Sequence, residues 1–398
     1  MNDYIRSHAW EEIHLDRLQK NIENIKVHLG CDTKLMAVIK ADAYGHGAVE
    51  TAKRAEISGA DCLAVACTDE AKQLRRHGIT MPILILGATP LAAVGDLFEY
   101  DIIPTVFEKT LPKAISDYAK KTGKKLKIHL KIDTGMGRLG FCCYKRNDNS
   151  CIEEIMEISN LFGIEIEGIY THFSSADEED GEEETKKQFD NLMYVISELS
   201  EKGLNIPVKH CANSAAIALY PEMKLDMVRA GIILYGEYPS AYVKKNTNLK
   251  VEPVKEMKTT VSQVKNAEIG RGISYGQKYK VSHSNERLAT VCIGYADSYL
   301  RSLSGKTKVI INGRFAPQVG NICMDQMVVD VSGIDGVEYG TEVTIIGKSG
   351  ECSITYSDIA DILGTINYEV MCNAGKRVTK VYFDNKKFIK SVNYLEKL

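Results

Sequence analysis

Leu35-Met36-Ala37-Val38-Ile39-Lys40 is a short apolar run that ends on a lysine. Seven more such runs follow it: Cys62–Cys67, Ile83–Leu86, Ile102–Val106, Leu126–Ile132, Ile164–Tyr170, Pro207–His210 and Met227–Tyr235. Longer stretches separate them, and in Asp69–His77, Lys113–Lys120 and Glu183–Lys202 the apolar residues recur at helical spacing. Strands rich in Val, Ile and Leu that alternate with helices pair in parallel, buried on both faces. Eight such units over about 200 residues predict an α/β architecture of the (β/α)8 barrel type. The fourth and seventh runs carry the weakest pattern.

Past residue 245 the texture changes. Met257–Val264, Leu288–Ile293, Lys308–Ile311, Met327–Val331 and Glu342–Ile346 read as short strands with turn signals between them. Asn312-Gly313 is a hairpin signal and Ser332-Gly333 a second turn. Asp358–Leu363 and Asn367–Cys372 read as helices, the first with Ser357 as its N-cap. This half is expected to form a separate, mainly β domain. The polar, aperiodic stretch Ala241–Lys250 holds the boundary, which divides the chain into 1–245 and 246–398.

The chain has 398 residues, of which 44% are hydrophobic and 26% charged, as expected of a globular protein with two domains. A net charge of −3 gives no reason to expect a nucleic acid or an anionic membrane as partner. The N-terminal segment is too charged for a signal peptide and no run is long enough to span a bilayer, so the reading is cytoplasmic. None of the eleven cysteines forms a Cys-x-x-Cys pair, and Cys62 and Cys67 bound an apolar run. Free thiols are therefore expected, and no metal site.

A lysine placed directly after four apolar residues, Met36 to Ile39, sits where desolvation lowers its pKa and exposes an amine nucleophile. Gly45 and Gly47 then allow a tight turn. On these grounds alone Lys40 reads more readily as a strand-end lysine that reaches solvent.

The longer segment Val38-Ile39-Lys40-Ala41-Asp42-Ala43-Tyr44-Gly45-His46-Gly47 resembles the signature of alanine racemases, in which the lysine carries pyridoxal phosphate. The resemblance runs from Ala9-Trp10-Glu11-Glu12-Ile13 to Ile366-Asn367-Tyr368-Glu369, nearly the whole chain. It implies a barrel followed by a β domain, L-alanine and D-alanine as substrates, and a homodimer whose two sites each draw on both subunits.

Within Lys131–Gly140, it assigns Arg138 to the phenolic oxygen of the cofactor and the substrate carboxylate, a task suited to a planar fork. It also marks Lys131 as a candidate for carbamylation, which would give Arg138 an anionic partner. Arg229 is implied as the partner of the pyridine nitrogen. Being always charged, it cannot easily protonate the ring, which keeps the cofactor a weak electron sink. His172 is implied as its relay to a catalytic tyrosine. Phosphate contacts are implied at Tyr44, Asn213, Ser214, Gly231, Ile232 and Tyr368.

Racemisation needs one base on each face of the reacting carbon. Tyr275, in Gly272-Ile273-Ser274-Tyr275-Gly276, matches the family's second base: it would serve the L face from the other subunit while Lys40 serves the D face. Tyr295, Cys323, Met324 and Asp325 fall in two further segments implied to bind substrate, with the Met324 N–H directed to the carboxylate and Arg301 lining the approach.

Three places depart from the family pattern. Asn321 stands where arginine is common, Ser298 where glycine is usual, and Thr379-Lys380 where Pro-Arg is common. Asn321 is the one expected to alter the charge near the entrance. Three other readings stay open: a serine racemase of the same family, against which Tyr368 argues by narrowing the pocket; a racemase or decarboxylase of basic amino acids on the same fold, which needs an acidic or roomy distal pocket; and a non-catalytic protein of pyridoxal-phosphate homeostasis, a class that resembles the barrel alone.

Overall fold

The computed structural model describes residues 7–30, 32–145, 149–373 and 375–397. The chain divides into two compact units. One comprises Leu18–Ala43 and Gly47–Glu252; the other comprises the chain up to Arg17, Tyr44–His46, and the chain from Pro253 onward.

In the first unit, eight parallel strands pair in chain order: Lys34–Val38, Cys62–Val65, Ile83–Ile85, Ile103–Val106, Leu126–Asp133, Ile164–Tyr170, Val208–His210 and Met227–Ala230. The last pairs with the first, Arg229 opposite Met36. The seam between the seventh and eighth is sparser, held by Asp226 N to Lys209 O at 3.1 Å and Arg229 N to Ala212 O at 3.0 Å. The result is a nearly closed α/β barrel. The expected helices occupy Thr68–Arg76, Thr110–Thr122 and Glu182–Glu201. Three glutamates in the first turn of the last one complement its dipole. Gly123, at a φ of 70°, closes the middle one in the left-handed conformation that glycine adopts without strain.

The second unit is mainly β. Its strands Lys255–Asn266, Arg287–Val291, Met327–Asp330, Arg314–Val319, Lys308–Ile311 and Glu342–Ser349 form a closed antiparallel ring, because the long first strand pairs with both the second and the last. Asn312 and Gly313 both have positive φ, 49° and 73°, and make the tight hairpin that puts Ile311 opposite Arg314. Val331 O accepts from Ile334 N, so Ser332-Gly333 is a turn, though not a hairpin. The helix at Tyr356–Leu363 is capped by Thr355 instead of Ser357: Thr355 Oγ1 accepts from Asp358 N, and Asp358 Oδ2 accepts from Thr355 N at 2.7 Å. This reciprocal pair satisfies two orphan donors where Ser357 would satisfy one.

The N-terminal strand Ala9–His14 belongs to this second sheet. It runs antiparallel to Lys255–Asn266 and parallel to Thr379–Asp384. Trp10 packs there with Val381 and Phe383. Lys380, one of the departures, is buried and pairs with Glu11 Oε2 at 3.5 Å, beside Lys255 on Glu11 Oε1 at 2.9 Å. The ten cysteines among the described residues are free thiols, and among the described residues no helix is long and apolar enough to cross a membrane.

Candidate active site

Lys40 follows the first barrel strand by two residues and is half-buried. Directly after it the chain makes a turn of left-handed helix: Ala41, Asp42, Ala43 and Tyr44 have φ of 53°, 52°, 57° and 52°. Gly45 and Gly47 share the sign, but the strain falls on four residues that carry a Cβ, at roughly 1–2 kcal/mol each. Main-chain hydrogen bonds to two carboxylates hold it. Glu70 accepts from Ala41 N at 2.7 Å and from Ala66 N at 2.7 Å, and Asp42 Oδ1 accepts from Ala48 N at 2.8 Å. Such a turn survives only where its surroundings over-determine it, a condition met at reactive sites.

Arg229, on the last barrel strand, is buried, and every acceptor around it is neutral. Nη1 donates to His210 Nδ1 at 3.0 Å. Nη2 donates to Thr171 O at 2.8 Å, Cys211 O at 3.1 Å and His172 Nδ1 at 3.1 Å. The Tyr170 ring lies 5.1 Å from the guanidinium. Because a guanidinium only donates, both His172 and His210 must accept at Nδ1 and carry their proton on Nε2. Burial, then the charge of Arg229, pushes the His172 pKa well below its usual value, so the ring is neutral. Gln188 holds the segment beyond it, donating to His172 O at 3.2 Å and accepting from Ser174 N at 2.9 Å.

Lys131 and Arg138 leave the fifth barrel strand. Lys131 is buried, with Nζ 5.8 Å from the centre of the Tyr170 ring. Burial, followed by Arg138 and Arg229, pulls its pKa down to about 8. Arg138 is exposed at the tip of a loop organised by Asp133. That carboxylate accepts from the main-chain nitrogens of Gly135, Gly137 and Arg138 at 3.0–3.1 Å. At Gly140, a Cβ would lie 2.2 Å from Asp133 N, so only glycine lets the loop fold back. Asp133, Gln188 and His210 escaped the sequence reading; an acid two residues before a Gly-rich turn was the available signal for the first.

Asn213 and Ser214 follow the seventh strand. Asn213 Oδ1 caps Ser214–Leu219 by accepting from Ala216 N at 3.0 Å. Ser214 Oγ accepts from Gly231 N at 3.0 Å, which leaves its O–H to donate elsewhere. Ile232 opens the short helix Ile232–Tyr235 that follows Gly231.

The remaining candidates lie in the second unit. There, Tyr44 and Tyr368 approach ring to ring at 6.2 Å, and burial raises the Tyr44 phenol above its usual pKa. Tyr275 is 73% exposed. The turn that carries it is fixed: Ser274 has a φ of 62°, and Asn321 Nδ2 donates to Tyr275 O at 2.6 Å. Asn321 thus braces the tyrosine's backbone, beyond any effect of losing the arginine charge expected from the departure. Tyr295 N donates to Cys323 O and Ala296 N to Met324 O, both at 3.0 Å, which joins the two substrate segments. Ser298 takes the left-handed conformation, φ 75°, that explains the family's glycine there. Asp325 pairs with Arg377 at 2.7 Å, and Arg377 also grips Asp297 at 2.6 Å.

Residues 13–239 match the family described as alanine racemase, N-terminal domain, and residues 254–382 match alanine racemase, C-terminal domain. The chain belongs to the alanine racemase family. An alanine racemase of Clostridium perfringens is 44% identical over 97% of this chain and 98% of its own length. One from Clostridium kluyveri is 46% identical, with 97% of each chain covered. The solved structure of an alanine racemase from Clostridium difficile 630 superposes with a TM-score of 0.92 at 45% identity, covering 98% of this chain and all of the other.

Alanine racemases are pyridoxal-phosphate enzymes, and the residues present fit that group. Arg229 Nε has no acceptor among the described residues, so a donor is left for a ring nitrogen. Ser214 keeps a hydroxyl proton that would suit a phosphate, and Lys40 is the amine that would carry the group.

Proposed function

We propose that this chain is a pyridoxal-phosphate-dependent alanine racemase in which Lys40 and Tyr275 of the partner subunit are the two bases. The observation that carries the reading is the arginine with only neutral acceptors, Arg229, bonded to His172. When bound, the cofactor supplies an electron-withdrawing ring that acidifies the substrate Cα–H. With Nδ1 committed to Arg229, His172 presents Nε2–H, which favours the phenolate of a tyrosine placed there and so makes it a competent base. Lys40 takes or returns the proton on the D face, and Tyr275 does so on the L face. Arg138 and the Met324 N–H hold the substrate carboxylate; Tyr295, Cys323 and Asp325 shape that end. Tyr44, Asn213, Ser214, Gly231, Ile232 and Tyr368 hold the phosphate end.

The large exposure of Tyr275 and Met324 in the single chain supports a homodimer that covers them. The C-terminal family match supports a racemase over a cofactor carrier. The test is interconversion of L- and D-alanine by purified protein, followed by polarimetry, with L-serine in parallel. Alanine turned over in both directions, with an equilibrium ratio of unity and a slower serine reaction, is the expected result. A protein that binds the cofactor yet turns over neither amino acid would sink the reading.

Lys131 yields a second expectation. As a bare amine, its pKa falls from 10.5 to about 8 on folding. Between those values the unfolded chain binds more protons, so stability rises with pH across that window, and the full cost, about 3 kcal/mol, applies below pH 8. A carbamate there would reverse the sign, because an anion between Arg138 and Arg229 is favoured. We assign the carbamate. In calorimetry at neutral pH with bicarbonate, Lys131→Met is therefore expected to lower Tm and to raise the KM for alanine. A raised Tm would show that the lysine is unmodified.

A further inference from the structure

The barrel holds a line of polar side chains that the proposed proton transfers do not use. It starts at Glu167, 24% exposed at its side chain and paired with Lys127 at 2.6 Å. Glu167 Oε2 lies 3.6 Å from His129 Nε2. His129 Nδ1 lies 3.0 Å from His210 Nε2, and His210 Nδ1 lies 3.0 Å from Arg229 Nη1. His129, His210 and Arg229 are all buried. The line is built into the barrel packing: Gly168 sits opposite His129, where a Cβ would lie 2.4 Å from the imidazole. The Tyr170 ring stacks on His210 at 4.6 Å and 12°, and its hydroxyl is tied to Thr105 at 2.9 Å.

The two ends of this line dictate the protons between them. A guanidinium only donates, so His210 Nδ1 accepts and its proton sits on Nε2. That proton faces His129 Nδ1, which must accept, so the His129 proton also sits on Nε2. It faces Glu167, an acceptor that His129 and Lys127 hold at a pKa of about 2 and hence ionised at neutral pH. The opposite set of tautomers would put N–H against N–H at Arg229, and a proton-bearing nitrogen is then lost to Glu167 as well. Burial, and the charge of Arg229, hold both imidazoles neutral.

We propose that Glu167 is a positioning residue for Arg229: through the fixed tautomers of His129 and His210 it sets the placement of the guanidinium assigned to the cofactor's ring nitrogen. The inference rests on the role given to Arg229 above. It also makes a partly exposed carboxylate matter to a buried arginine that it never touches. With the acceptor removed, the tautomers that suit Arg229 leave the His129 Nε2–H buried without a partner, and the opposite set turns His210 into a second donor against Arg229, so no arrangement of the two protons satisfies both ends of the line.

The experiment is NMR of the holoenzyme labelled with ring ¹⁵N-histidine, with the visible absorbance of the cofactor recorded on the same samples. In the wild type, His129 and His210 are expected with protonated Nε2 and bare Nδ1 at neutral pH; a protonated Nδ1 on His210 overturns the proposal without any variant. In Glu167→Leu, His210 should show mixed tautomers, the cofactor band should shift, and kcat should fall roughly ten-fold with little change in KM, the scale of losing an outer partner of a working side chain. Glu167→Gln, whose amide oxygen still accepts, should restore the wild-type ring signals. Wild-type ring signals and band in Glu167→Leu would refute the relay even if activity fell. The two readings fail separately: no alanine turnover in the wild type counts against the racemase, a wrong His210 tautomer against the relay.

Discussion

Lys40→Ala is expected to slow racemisation of alanine by at least about 10⁴-fold and to remove the visible band of bound cofactor. The lysine is asked to do two things, to anchor the cofactor and to carry the D-face proton, and alanine does neither. The position is held by the left-handed turn at 41–44 and its bonds to Glu70 and Asp42, none of which uses the lysine head group. The fold should therefore survive, and circular dichroism and Tm should stay near wild type. One secondary effect has a predictable sign. Lys40 is among the charges that depress the pKa of His172, which should therefore rise in the variant. Turnover above about one per cent of wild type in Lys40→Ala would remove the lysine from the chemistry.

Tyr275→Phe carries the next largest expectation, a fall in kcat of about 10²–10⁴-fold, the range for losing a positioned base. The side chain is 73% exposed, so stability of the subunit should not change. The loss should be one-sided. Exchange of the D-alanine Cα–H with solvent deuterium, served by Lys40, should persist, while exchange from L-alanine should collapse. Equal loss for both enantiomers would count against one base per face. Mixing the two variants tests the subunit assignment: a dimer of Lys40→Ala with Tyr275→Phe has one site with both defects and one with neither. Random pairing of equal amounts should then regain about a quarter of wild-type activity, whereas sites confined to one chain would regain none.

Much of the fold was legible because its signals are local. The eight strands of the barrel lie where short apolar runs alternate with helical spacing, and even the weak fourth and seventh runs, Ile102–Val106 and Pro207–His210, hold strands at Ile103–Val106 and Val208–His210. Asn312-Gly313 made its hairpin because two successive left-handed residues leave few other conformations. The helix cap moved two residues, from Ser357 to Thr355, because the choice between neighbouring hydroxyls depended on Asp358 returning a bond to Thr355 N. The N-terminal strand is a different case. Ala9–His14 has no local feature that names its partners, Lys255–Asn266 and Thr379–Asp384, each more than 240 positions away.

The candidate site divides along the same line. Residue types at strand ends, read with a family signature, singled out Lys40, Arg138, His172, Arg229 and Tyr275. Glu167, His129 and His210 carried no such mark, since a histidine inside an apolar run is usually a satisfied core residue. Composition, period and motif are short-range properties, and the sequence by itself determined the barrel, the β unit and the chemistry of the groups available. Which histidine nitrogen faces Arg229, how Asn321 braces Tyr275, and where four non-glycine residues accept a left-handed turn were decided only by the tertiary structure. Those outcomes depend on strand register and on which distant atoms fill the space beside each group, and a hydrogen bond formed at 3 Å has no counterpart in the spacing of residues along the chain.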